Sequence, residues 1–306
     1  MRIDCDGAGQ RIDNFLIGHL KGVPRSRIYR LLRRGEVRVN KGRVKPDYRL
    51  CSGDEIRIPP LRMAAASDAP DPPRHGLTWI DDAVLYEDDA LLILDKPSGL
   101  AVHGGSGLSH GLIEQVRVAR PEQGLELVHR LDRETSGCLL ISKRRSLLRE
   151  LHRLLREQDI DKRYLALLVG ELPRTEVVVE APLRKYRLRG GERMVCVDAR
   201  DGKPARTRFR RLRVLPGATL VEVQPLTGRT HQIRVHAAYL GQPVAGDEKY
   251  GAAESNRRFR QRGLKRLFLH AASLGIPGLA DGRRLRVQAP LPDELEALLM
   301  TLGGPS

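Results

Sequence analysis

The stretch from Pro59 to Gly76 constrains this chain more than any other. It holds Pro59, Pro60, Pro70, Pro72 and Pro73 around Ala64-Ala65-Ala66-Ser67. Proline fixes φ and removes an amide donor, so neither a regular helix nor a central strand can run through such a segment. Its side chains also offer little to bury, which makes it a tether, semi-rigid where proline dominates. The chain therefore reads as a small unit over 1–60, a Pro/Ala-rich linker over 61–76 and a larger unit over 77–306. A length of 306 residues suits two domains. Apolar residues at 41% suffice for two cores and exclude wholesale disorder.

Charge narrows the partner. Lys and Arg number 54 against 38 Asp and Glu, a formal net charge of +16. Residues 1–60 alone carry 14 basic against 7 acidic side chains. Such a surplus calls for a polyanion, nucleic acid first and an anionic membrane second. No apolar run approaches the roughly 18 residues that a spanning helix needs. The N-terminus lacks the basic start, apolar core and cleavage site of an export signal. Cys5, Cys51, Cys138 and Cys196 lie far apart without a CxxC pair, so neither a disulfide framework nor a zinc knuckle is indicated. The expectation is a reduced, cytoplasmic protein.

Within the small unit, Pro24-Arg25-Ser26 starts a helix, with Ser26 as its cap, and Gly35 stops it. At about 100° per residue, Ile28, Leu31 and Leu32 share one arc while Arg27, Arg30, Arg33 and Arg34 take the other. An amphipathic stretch from Ile12 to Leu20 supplies a packing partner. Val37-Arg38-Val39 and Ile56-Arg57-Ile58 alternate like strands, and Asn40-Lys41-Gly42 turns between them. In the large unit, strands are expected over Ala90–Leu94, Cys138–Ser142, Tyr164–Val169, Glu176–Glu180, Thr207–Val214, Leu220–Val223, Leu267–Leu274 and Leu285–Val287. Helices are expected over Ser146–Glu157, Thr230–Leu240 and Pro292–Met300. Strands outnumber helices without alternating regularly with them, which indicates an α+β fold with a mixed, mainly antiparallel sheet.

Absences limit the chemistry. No phosphate-binding GxxxxGK[ST] loop exists, and the glycine-rich stretch Gly104 to Gly111 fits neither a dinucleotide fingerprint nor GxSxG. Three segments stand out. His129-Arg130-Leu131-Asp132-Arg133-Glu134-Thr135-Ser136-Gly137 precedes a strand and reads blandly as a turn, with Asp132 bonding local amides. Alternatively, it sets one carboxylate between two arginines in a protein built for polyanions, which needs a purpose. His129 and Asp132 as metal ligands lack a third partner. Gly228 to His236 begins a helix whose first turn offers amides to an anion, or is a solvated basic face. Tyr164, in Lys162-Arg163-Tyr164, is a half-buried packing residue or a stacking platform. The acid-free run Arg257 to Arg266 is a solvated loop or a phosphate-contacting one beside the cleft.

Together these segments resemble the RluA family of pseudouridine synthases. His129 to Gly137 is similar to its signature, Asp95-Lys96-Pro97-Ser98-Gly99-Leu100 to its upstream motif, and Lys162-Arg163-Tyr164 to its tyrosine motif. Gly228 to His236 and Gly246-Asp247-Glu248-Lys249-Tyr250-Gly251 resemble its downstream motifs. The first 60 residues resemble the S4 RNA-binding module that many members carry. The resemblance implies a synthase that isomerises uridines of large-subunit (23S) ribosomal RNA, three of them in the most similar members, as a monomer without metal or cofactor. It implies Asp132 as nucleophile, at the ribose C1′ or the base C6, with Arg234 holding that carboxylate. Tyr164 would stack on the uracil and help remove the C5 proton. Arg130, with His129 and Arg229 nearby, would occupy the space left when the target base flips out. Arg25, Arg27, Arg30, Arg33, Arg34 and Lys41 would hold RNA phosphates on the S4-like module. Asp132, Tyr164 and Arg234 should then meet in one cleft, with Asp132 within about 10 Å of Arg234. Two other readings compete: a non-catalytic RNA-binding or ribosome-assembly protein, and a synthase acting on another RNA such as tRNA. A base-hydrolysing glycosidase would need a second carboxylate, and Glu134 is poorly spaced for it.

Overall fold

A computed structural model describes residues 1–3, 7–20, 23–60, 77–104, 111–121, 124–188, 192–279 and 282–303. The expected linker over 61–76, Cys5 and most of the glycine-rich stretch lie outside the described residues. Two compact units divide the chain, Met1–Pro73 and Arg74–Ser306. No helix among the described residues is long and apolar enough to cross a membrane.

The first unit packs helices α1 (Ile12–His19) and α2 (Arg25–Arg34) with three two-residue strands, β1 (Arg38–Val39), β2 (Gly42–Arg43) and β3 (Ile56–Arg57). Ile28, Leu31 and Leu32 enter a core with Ile12, Leu16 and Ile56. Arg25, Arg30, Arg33, Arg34 and Lys41 are exposed, and Arg27 is half-buried. Helix α2 starts differently from the expectation. Pro24 occupies the cap position and no side chain caps the helix; Ser26 lies inside the first turn. Gly35, left-handed at φ 69°, ends it as expected. Asn40 and Lys41 both have positive φ, 50° and 66°, which lets a two-residue hairpin turn follow the twist of its strands.

The second unit is built on one ten-stranded sheet. After a short helix α3 (Trp79–Asp82) come β4 (Val84–Glu87), β5 (Leu91–Lys96), helix α4 (Leu112–Ala119), β6 (Glu126–Leu127), β7 (Ser136–Ser142) and helix α5 (Arg145–Glu157). Next are β8 (Asp161–Val169), β9 (Glu176–Glu180), a separate hairpin of β10 (Leu183–Arg187) and β11 (Arg193–Val197), and then β12 (Arg206–Leu215) and β13 (Ala218–Pro225). Helices α6 (Gln232–Tyr239) and α7 (Ala253–Gln261), strands β14 (Leu269–Ile276) and β15 (Leu285–Gln288), and α8 (Asp293–Gly303) complete it. The sheet order is β4-β5-β7-β14-β8-β13-β12-β9, with β15 on β14 and β6 on β7. Every pairing is antiparallel except β7 with β14. This is the mixed, mainly antiparallel α+β architecture expected from the sequence.

Both faces of the sheet centre are covered. Along β5, Leu92 and Leu94 join one core while Leu91 and Ile93 join another beneath Leu147, Leu151 and Leu154 of α5. At the entry to β7, Gly137 sits at φ 105°, and a Cβ there would lie 2.3 Å from the Ala271 carbonyl oxygen of β14. Only glycine lets the parallel pair close at that point. The loop 129–135 is thereby delivered to the sheet centre, one strand from β8.

The basic run beginning at Arg257 is not the loop expected from its composition: α7 covers Ala253–Gln261. Asn256 and Phe259 are its only buried residues, so charge hides the helical period.

Candidate active site

Loop 129–135 is held by its own backbone and by the segment that follows β5. The Asp132 carbonyl accepts the Thr135 amide, closing a tight turn. Beneath it, the fully buried Lys96 donates to the carbonyls of Pro97, Leu100 and Arg133 at 2.8–3.0 Å. An ammonium has three hydrogens, and all three are placed here. Burial pulls this lysine down to about 8. Ser98 adds a bond to the Glu134 carbonyl. Downstream, the Ser136 hydroxyl meets His270 Nδ1 at 2.9 Å and accepts from both Arg266 terminal nitrogens. Burial drops His270 to about 4, so its neutral ring keeps Nδ1 free to accept.

Asp132, thus positioned, lines a cleft of about 630 Å³ together with Tyr164 and Arg234. It is the only acidic residue among those lining the cleft. Its Oδ2 lies 3.8 Å from Arg234 Nη1, and its Oδ1 lies 3.9 Å from His231 Nε2. The side chain remains 19% exposed. Glu134, by contrast, pairs with Arg133 at 2.7 Å and does not line the cleft.

Arg234 does not depend on Asp132 for its place. Asp247, fully buried, takes its Nε and Nη2 in a bidentate pair at 2.7 and 2.6 Å. Asp247 Oδ1 also accepts the amides of Lys249 and Tyr250, and its carbonyl accepts Asn256 Nδ2 from α7. The guanidinium carbon stands 5.2 Å from the Tyr250 ring centroid. Such a fork holds a planar cation rigidly and leaves Nη1 directed at Asp132.

His231 completes the arrangement. It adopts a left-handed backbone, φ 52°, at the start of α6, a strained geometry for a residue with a Cβ. Its Nδ1 lies 2.6 Å from the Tyr250 hydroxyl, which accepts the Val195 amide. Burial pushes the Tyr250 phenol up to about 12, so it keeps its proton at neutral pH. With the phenol as donor to Nδ1, the ring hydrogen falls on Nε2, facing Asp132. The amide expected to be free at the start of α6 is partly spoken for, since Gln232 N–H donates to the Arg229 carbonyl.

Tyr164 points into the cleft from β8, nine-tenths buried, and no described group hydrogen-bonds its hydroxyl. Burial first, and then the Asp132 charge, raise its pKa. Arg130 lines the cleft exposed to solvent, without a described partner for its guanidinium. His129 is held otherwise than a free RNA contact would be: its Nε2 accepts the Leu140 amide, and burial lowers it to about 3. Arg229 is exposed at the rim, where its Nε donates to the Pro204 carbonyl. Sequence reasoning passed over His231, Asp247 and Tyr250, although the last two stand in the motif Gly246 to Gly251. Among the described residues, no cluster of His, Cys, Asp and Glu is built to hold a metal.

The profile of RNA pseudouridylate synthases matches residues 90–239, which contain Asp132, Tyr164 and Arg234, and the S4 domain profile matches residues 10–56. Ribosomal large subunit pseudouridine synthase C of Escherichia coli K12 is 53% identical over 304 residues, covering 98% of this chain and 95% of that one. The chain belongs to the RNA pseudouridylate synthase family. The protein of the same name from Yersinia pestis is 51% identical over 302 residues, with 98% and 94% covered. Among solved structures, human RNA pseudouridylate synthase domain containing 4 superposes with a TM-score of 0.61 at 26% identity, covering 75% of this synthase and 97% of that chain. Human RNA pseudouridylate synthase domain containing 1 gives 0.59 at 29%, covering 71% and 86%. The first unit of this synthase is thus an S4 domain and the second a pseudouridylate synthase domain.

Proposed function

We propose that this synthase isomerises uridines of large-subunit ribosomal RNA to pseudouridine with Asp132 as its nucleophile. The observation that carries the role is the lone acid of the cleft, facing a guanidinium already fixed by Asp247. An arginine so close aims the carboxylate without itself reacting. Attack at C1′ or at C6 leads to the same net change. The N1–C1′ bond breaks, the uracil turns, the C5–C1′ bond forms, and the proton lost from C5 is balanced by one gained at N1. No atom or electron is left over, so the reaction needs no oxidant or reductant. The names of the relatives and the near-complete overlap with them support the ribosomal substrate. A single acid in the cleft also weighs against base hydrolysis, which calls for two. Mapping pseudouridines in ribosomal RNA from cells with and without the protein tests the proposal. Positions that vanish from large-subunit RNA support it, whereas a loss confined to tRNA redirects the substrate.

Tyr164 would stack its ring on the flipped uracil, with its hydroxyl kept for the substrate. A hydroxyl left unbonded in a nearly buried site carries a desolvation cost, which a substrate contact offsets. Tyr164→Phe is therefore expected to melt no lower than the parent and to lose about tenfold in kcat, since a hydrogen bond of about 1.4 kcal/mol corresponds to that factor. A rate within threefold of the parent reduces Tyr164 to a stacking surface.

The S4 domain would supply affinity, through the exposed side chains of Arg25, Arg30, Arg33, Arg34 and Lys41 with Arg27 beside them. Phosphate contacts position a protein and carry little base information. Changing Arg30, Arg33 and Arg34 together to Gln should weaken binding to large-subunit RNA. It should also flatten the salt dependence by about 0.7 per lost contact, read as the slope of log K against log salt. An unchanged slope would return this arc to a solvated face.

A further inference from the structure

We propose that Lys162, with Arg156 at the rim, forms a phosphate subsite that holds the RNA backbone beside the nucleotide received by Tyr164. The inference rests on the RNA-modifying activity proposed above and names a binding contact for it. Lys162 and Tyr164 are alternate residues of β8, so both project from one face, about 7 Å apart along the strand. Both line the cleft, as does Arg156 near the end of α5.

The strand treats its charges unequally. On the opposite face, Arg163 Nε pairs with Asp161 at 2.7 Å and its Nη1 with Glu222 at 3.1 Å. Asp161 is further taken up by Gln224 at 3.0 Å and Arg286 at 3.4 Å. The nearest acid along the strand is therefore engaged by other partners. The Lys162 side chain has no hydrogen bond or ion pair with any described residue, and burial alone lowers its pKa. His129, which its charge further discourages from protonating, is committed to the Leu140 amide. His152 is likewise engaged, through Nε2 with the Val128 carbonyl. A half-buried lysine whose ammonium has no counter-charge is costly to maintain. In a cleft built for RNA, a phosphodiester supplies the missing anion, and the exposed Arg156 extends the same wall toward the next one.

The test uses the full chain and a large-subunit ribosomal RNA fragment in which the parent enzyme has been shown to form pseudouridine. Lys162→Met should lower kcat/KM by tenfold or more, chiefly through KM, while Lys162→Arg restores most of it. Phosphodiesters flanking the converted uridine are then replaced one at a time by uncharged methylphosphonates. One linkage should cost the parent enzyme a comparable factor and cost Lys162→Met nothing further, the non-additivity expected of a direct contact. An unchanged KM in Lys162→Met, or losses that simply multiply, would overturn the subsite. Should Lys162→Met fail to fold, the scan on the parent enzyme decides alone: no costly linkage beside the target sinks the proposal. If no large-subunit fragment is converted at all, the ribosomal substrate falls instead, and the same methylphosphonate scan on the RNA that is converted decides the subsite.

Discussion

Asp132→Asn is expected to give a folded protein that binds RNA nearly as tightly as the parent and forms no detectable pseudouridine. The amide matches the carboxylate in size and still occupies the space opposite Arg234 Nη1, 3.8 Å away. What disappears is the negative charge and with it the nucleophilicity of the oxygen, and no other acid lines the cleft to replace it. Loss of a covalent nucleophile removes the reaction path rather than slowing one step of it. Tritium release from C5-labelled uridine in RNA reads the result directly. Turnover at even a hundredth of the parent rate would take the nucleophile's role from Asp132.

Asp247 should matter almost as much, though it does not line the cleft. Asp247→Ala leaves Arg234, only 4% exposed, as a buried cation without its fork. Breaking a buried pair from one side costs about 3–5 kcal/mol. For a protein of this size that is a fall of about 10 °C in Tm. It also frees the guanidinium to turn toward Asp132 and pair with it directly, which would quench the nucleophile. Activity should fall at least a hundredfold, even when assayed well below the new Tm. Asp247→Asn, with the shape kept and the charge gone, should fall between variant and parent. Full activity in both variants would mean that Arg234 needs no holder.

Much of this was legible in the residues, for identifiable reasons. Strand β9 runs over Glu176–Glu180 as the alternation indicated, because short turns leave its period-two signal clean. The arc of Ile28, Leu31 and Leu32 is buried because a helix with so many arginines has one way to face a core. Loop 129–135, Tyr164 and Arg234 drew notice through their motifs, yet it is the sheet order that brings them together. His231 and Tyr250 were invisible as a pair, since nineteen residues separate them and only the return of the chain past α6 joins their rings. Hairpin β10–β11 escaped because most of the residues of its first strand face solvent, so no alternation of apolar and polar survives there. Helix α7 escaped because two inward residues are too few to set a period.

That helix carries a practical consequence for anyone redesigning the enzyme. Its tie to the catalytic region runs through Asn256, which donates to the Asp247 carbonyl and accepts the Gly246 amide, while Phe259 anchors it in the core. Arg257 and Arg258 are exposed and touch none of these atoms, whereas Arg260 pairs with Glu248 of the same loop at 2.7 Å. The surface charge of α7 can thus be rewritten as a dial at Arg257 and Arg258, while Asn256, Phe259 and Arg260 stay as written. A library confined to those outward positions would sample RNA preference and solubility without disturbing the arginine that faces Asp132.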